Sequence, residues 1–96
     1  MKELATIPIT EVDYFYSNPA DNIDYIGDPY VIKASDGFYY MFCTSASNGY
    51  FCWKSSDLYN WTDKKMAYTR SKDSWAFNTF WAPEVVEQDG VYYMYY

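Results

Sequence analysis

With no histidine among its 96 residues, the chain cannot build a Ser-His-Asp or Cys-His nucleophilic site from its own side chains. Its two cysteines are too few for a zinc site or a disulfide framework, and no glycine loop of the phosphate-cradling kind occurs. Chemistry is left to carboxylates and to an aromatic share of 24%. Asp28 is the carboxylate that stands out, in Tyr25-Ile26-Gly27-Asp28-Pro29-Tyr30-Val31-Ile32. Gly27 permits an unusual backbone angle and Pro29 withholds a donor from a sheet ladder, so a carboxylate between them can be aimed away from a sheet. Read by itself, the residue is more readily an ordinary Asp-Pro turn starter.

Trp81 and Glu84 form the second candidate group, in Phe80-Trp81-Ala82-Pro83-Glu84-Val85. Trp81 either stacks on a sugar ring face or packs in a core. Glu84 either hydrogen-bonds in a pocket or is a solvated or structurally paired carboxylate. By contrast, Ser55-Ser56-Asp57-Leu58-Tyr59-Asn60-Trp61 reads as structural, because Ser and Asp organise turns through side-chain bonds to the backbone.

The elements that must position these residues are strands. Tyr30 to Lys33, Asp36-Gly37 and Phe38 to Cys43 read as two runs joined by a short turn. The stretch Ser45 to Gly49 supplies a second turn into Tyr50 to Lys54, and a weaker strand follows over Lys65 to Tyr68. The second run lacks polar alternation, as expected of a strand buried on both faces. Four antiparallel strands in a meander are the content of one propeller blade. Cys43 and Cys52 lie symmetrically about Ser47-Asn48, which would set them opposite each other in a hairpin. Two reduced cysteines packed in the sheet are the expected state, with a disulfide as the alternative.

An internal repeat supports the blade reading. Pro29-Tyr30-Val31-Ile32 with Asp36-Gly37-Phe38-Tyr39-Tyr40-Met41 recurs as Pro83-Glu84-Val85-Val86 with Asp89-Gly90-Val91-Tyr92-Tyr93-Met94. The offset is 54 at the prolines and 53 at the Asp-Gly turns, a period of blade size. The expected organisation is a lead-in over 1–22, a first blade and connection over 23–80, and the beginning of a second blade over 81–96. A propeller needs four to eight blades, so the remaining blades are expected in cis, and a fragment with exposed blade faces is expected to be sticky.

A formal net charge of −6 provides no electrostatic footprint for nucleic acid or an anionic membrane. Neutral sugars suit an aromatic-rich surface better. No apolar run reaches the roughly 18 residues of a membrane span. No signal peptide is legible at the N-terminus, which favours a cytoplasmic location over a secreted one unless a leader has been removed.

At the Gly-Asp-Pro-Tyr-Val-Ile opening, the Asp-Gly-Phe-Tyr-Tyr-Met hairpin, Ser-Ser-Asp-Leu-Tyr-Asn-Trp and Phe-Trp-Ala-Pro-Glu-Val, the chain resembles glycoside hydrolase family 43. These segments run in the family's order over about residues 23–96. The resemblance implies an all-β, five-bladed β-propeller and a bacterial-type glycosidase acting on arabinose- or xylose-containing polysaccharides or oligosaccharides. It makes Asp28 the general base of an inverting mechanism, Trp81 part of the sugar pocket and Glu84 a supporting residue. The general acid and a further aspartate come from later blades, so the isolated chain is expected to be inactive. No cofactor is implied, although a structural calcium ion is common in the family's channel.

Two rivals stand beside this reading. Fructan-cleaving propellers also open on Asp-Pro, but Gly27, Tyr30 and Val31 occupy the places of their usual asparagine and Asn-Gly. A non-catalytic propeller that binds glycans or a protein partner is the alternative from another class.

Overall fold

The computed structural model describes residues 23 and 25–96; the lead-in expected over 1–22 lies outside the described residues. Four strands form one antiparallel sheet in the order β1 (Gly27–Lys33), β2 (Tyr39–Thr44), β3 (Gly49–Ser55), β4 (Thr62–Thr69). A second sheet pairs β5 (Glu84–Gln88) with β6 (Val91–Tyr95), also antiparallel. The described residues contain no helix. This is the first blade of a β-propeller and the first two strands of a second.

Burial explains the unbroken apolar sequence of β2. Met41 and Cys43 point to one face, where they pack with Trp53 and Trp61. Phe42 points to the other face, where it meets Cys52 of β3 and Val85 of β5, flanked by Tyr30, Ile32, Tyr40 and Met94. A strand with a core on each side leaves no position for a polar residue. The second of these clusters is the joint between the two sheets.

The repeat extends to the hairpins, and the structure explains its change of offset. At the second hairpin, Gln88 pairs with Val91 across a two-residue loop, with Asp89 and Gly90 at φ 52° and 77°. Two positive φ values are the signature of a type I′ turn. At the first hairpin, Ala34 N–H donates to Phe38 O at 2.8 Å and Gly37 N–H to Ala34 O at 3.0 Å. The loop there is Ser35-Asp36-Gly37, with φ 88° at Gly37, the three-residue form closed by a left-handed glycine. Ser35 is thus the additional residue, and it joins the sheets. Its N–H donates to Glu87 Oε2 at 2.9 Å and its hydroxyl bonds Glu87 Oε1.

One expectation is corrected at the β2–β3 hairpin. Ala46 bridges Gly49 at the tip, but Phe42 pairs with Cys52 further down. Three residues of one arm therefore face two of the other, a β-bulge that moves the register by one position. Ser45 stitches this bulge, accepting from Phe51 N–H at 3.0 Å and donating to Cys43 O at 2.9 Å. Because side chains alternate along a strand, the shift sends Cys43 and Cys52 to opposite faces. Both are buried free thiols, as packed reduced cysteines should be.

The segment after β3 is structural, as its sequence suggests. Asp57 accepts from the N–H groups of Tyr59 and Asn60 at 2.9 and 2.8 Å and from Asn60 Nδ2 at 2.8 Å. Ser55 Oγ accepts from Leu58 N–H at 2.9 Å. The turn delivers Trp61 into the core beside Met41 and Trp53. At the other end of the pair, a Cβ on Gly49 would lie 1.9 Å from Tyr68 O, so β3 and β4 close on each other only because that residue is glycine.

Candidate active site

The residues singled out by sequence gather where both sheets begin. Gly27 pairs with Thr44 and Tyr30 with Phe42, so Asp28 and Pro29 together face Cys43 alone. This is a second bulge, and Pro29 sits in it without removing a ladder bond. The unusual backbone angle falls on Asp28 itself, at φ 48°, and not on Gly27. A residue before proline is disfavoured in the right-handed α region, and aspartate is among the few types that tolerate the left-handed one. Such backbone costs roughly 1–3 kcal/mol and concentrates at functional sites. Here it turns the carboxylate off the sheet into an exposed position.

The second blade repeats this geometry. Ala82, like Asp28, directly precedes a proline and has φ 37°. Its N–H donates to Thr44 Oγ1 at 2.8 Å, and Thr44 Oγ1 donates to Asp28 Oδ2 at 3.0 Å. One hydroxyl therefore ties the two blade openings together. Trp81 is anchored by its backbone, whose carbonyl accepts from the Tyr50 hydroxyl at 2.9 Å. Tyr50 is fully buried, edge-on to the Phe80 ring at 5.8 Å. With its main chain held by this bond, Trp81 is 65% exposed among the described residues.

Glu84 is exposed at the first position of β5, opposite Tyr95. Among the described residues its carboxylate takes no hydrogen bond that would join it to Asp28 or Trp81. The structure thus brings Asp28 and the Trp81 segment together and leaves Glu84 beside them. Thr44 was not singled out by sequence. It ends an apolar strand as many threonines do, and only the bulge opposite Gly27 gives it a role.

Several carboxylates and one tyrosine in the turns and along the seam are shifted by structural hydrogen bonds. The Tyr40 hydroxyl, donating at 2.6 Å, and the Phe38 N–H hold Asp36 below its usual carboxylate range. Bonding to that carboxylate pushes Tyr40 up to about 12. Ser35 lowers Glu87, and the Asn60 and Tyr59 N–H groups lower Asp57. A groove of about 430 Å³ is lined by Tyr40, Phe42, Val85, Tyr92 and Met94 among others, none of them a candidate residue. Phe42, Val85 and Met94 also form the inter-sheet core, so the groove is the open side of the seam between blades. Among the described residues, no three His, Cys, Asp or Glu side chains gather to hold a metal ion.

A four-stranded meander joined to the first two strands of another blade defines the chain as part of a β-propeller. The model of the family "Glycosyl hydrolases family 43" matches residues 16–96, and the chain belongs to that family. Among solved structures, a thermostable family-43 glycoside hydrolase is 40% identical with a TM-score of 0.70, over 82% of this chain and 26% of that one. The endo-arabinase from Bacteroides thetaiotaomicron is 31% identical with a TM-score of 0.64, over 70% of this chain and 24% of that one. The chain thus spans about a quarter of the length of these two structures. No curated protein matches it.

Proposed function

We propose that the full-length protein carrying this chain is a glycoside hydrolase acting on arabinose- or xylose-containing polysaccharides or oligosaccharides with inversion, and that Asp28 is its general base. The observation that carries the reading is the left-handed backbone of Asp28 in a bulge at the blade opening, within a segment matched by the family model. An inverting base activates water on one side of the glycosidic bond while an acid protonates the leaving oxygen from the other, the two carboxyls standing about 6.5–9.5 Å apart. Asp28 supplies the first function. The acid must come from outside the described residues, so the isolated chain is inactive in this account. Trp81 offers its indole face to the sugar ring, and Glu84 supports the pocket rim. Among the described residues, no cluster of three or more His, Cys, Asp or Glu side chains is placed to hold a calcium ion.

The test is hydrolysis of arabinan and xylan oligosaccharides by the full-length protein, with the anomer of the first product read by NMR. Inversion, together with a fall in kcat of roughly 10²–10⁴-fold in Asp28→Asn, supports the reading. A retained configuration, or an Asp28→Asn variant as active as wild type, overturns it.

A further inference from the structure

We propose that Thr44 is a positioning residue for catalysis, its single hydroxyl setting the orientation of the Asp28 carboxylate and locking it to the backbone that carries Trp81. The inference rests on the reading of Asp28 as base. A threonine hydroxyl has one proton to donate and two lone pairs to accept with. The Ala82 N–H, 2.8 Å away, has no lone pair to offer, so toward it Thr44 Oγ1 acts only as acceptor. The one remaining proton is directed to Asp28 Oδ2 at 3.0 Å. The direction of both bonds is therefore fixed by chemistry.

Two consequences follow for the base. One lone pair of Oδ2 is engaged by a donor, which fixes the plane of the carboxylate and makes the wholly unengaged Oδ1 the more basic oxygen toward water. A hydrogen bond to a charged acceptor is also among the stronger kinds, and it holds a side chain that is otherwise exposed. The same hydroxyl reaches Ala82, a residue with φ 37°, immediately after the exposed Trp81. The distance from base to sugar platform then depends on two bonds to one atom. Thr44 itself is placed by the ladder, since it pairs with Gly27 across the bulge that displaces Asp28.

The experiment measures kcat and KM of the full-length protein for wild type, Thr44→Val, Thr44→Ser and Asp28→Asn, and for the double variant Asp28→Asn with Thr44→Val. Melting temperatures serve as the folding control. Valine keeps the shape without the hydroxyl, whereas serine keeps the hydroxyl. The expected result is a fall in kcat of about 10–100-fold in Thr44→Val, the effect of losing a hydrogen bond to a charged group, with KM changed far less. Thr44→Ser should stay within about threefold of wild type, and Thr44→Val should cost about twofold or less in the Asp28→Asn background, because coupled residues are non-additive. If Thr44→Val does not fold, Thr44→Cys replaces it, a thiol being only a weak donor, and its kcat should fall between those of Thr44→Ser and Asp28→Asn, whereas a kcat equal to that of Thr44→Ser overturns the proposal.

Three further results overturn the proposal while leaving Asp28 as base. They are a Thr44→Val variant as active as wild type, a Thr44→Ser variant as impaired as Thr44→Val, and an equal loss from Thr44→Val with and without Asp28. A full-length protein whose Asp28→Asn form keeps wild-type activity overturns the base assignment instead, and the positioning role falls with it.

Discussion

Asp28 meets Pro29 with its backbone in a region that most side chains avoid, and the sheet accommodates this with a bulge. Strain at one residue is thus offset by order around it. Tyr50, in β3 of the first blade, holds the opening of the second, its hydroxyl reaching the Trp81 carbonyl from a fully buried ring. Tyr50→Phe should lower stability by about 1 kcal/mol in chemical denaturation of the full-length protein, and weaken substrate binding more than it slows turnover. Sequence carried Asp28 as a candidate because it stands between Gly27 and Pro29 just before the first strand, and Trp81 because it holds the corresponding place before the second blade. It did not carry Thr44, whose role arises from a cross-strand pairing, nor the location of the unusual angle, which sits on the aspartate and not on the glycine before it.

Strand by strand, the sequence was legible where period and turn chemistry agree, as in the two Asp-Gly hairpins. It was misleading where a bulge intervenes, because one additional residue exchanges the faces of everything beyond it, and the two cysteines record that exchange. Gly49→Ala should test the tightest point between strands. A Cβ 1.9 Å from the Tyr68 carbonyl forces β3 and β4 apart, and a loss of about 3 kcal/mol or more is expected, in the class of backbone-clash substitutions. Val85→Ala, at a site only 2% exposed between the sheets, should cost about 2 kcal/mol by lost burial and a residual cavity. The Ser35–Glu87 link should respond to acid. Glu87 is held below its usual range by Ser35, so its contribution is fully present above the unfolded value of about 4.3 and is lost as pH falls through the lower folded one. Hydrogen exchange at the Ser35 amide should therefore be slow at neutral pH and lose its protection in strong acid.

For the molecule as a whole, one blade and the first strands of a second leave the seam between them open along Tyr92 and Met94, while Tyr92, Tyr93 and Tyr95 stay 46%, 47% and 61% exposed. Patches of this kind associate when nothing covers them. The isolated chain should therefore show a concentration-dependent sedimentation coefficient and no hydrolysis, and the full-length protein should be free of the first and capable of the second. The placement of the two thiols has a use of its own. Burial pushes Cys43 up to about 11 and raises Cys52 as well, so neither reacts while folded, and from opposite faces they cannot cross-link. Thiol labelling during unfolding should therefore report exposure of the Met41–Trp61 layer through Cys43 and separation of the two sheets through Cys52.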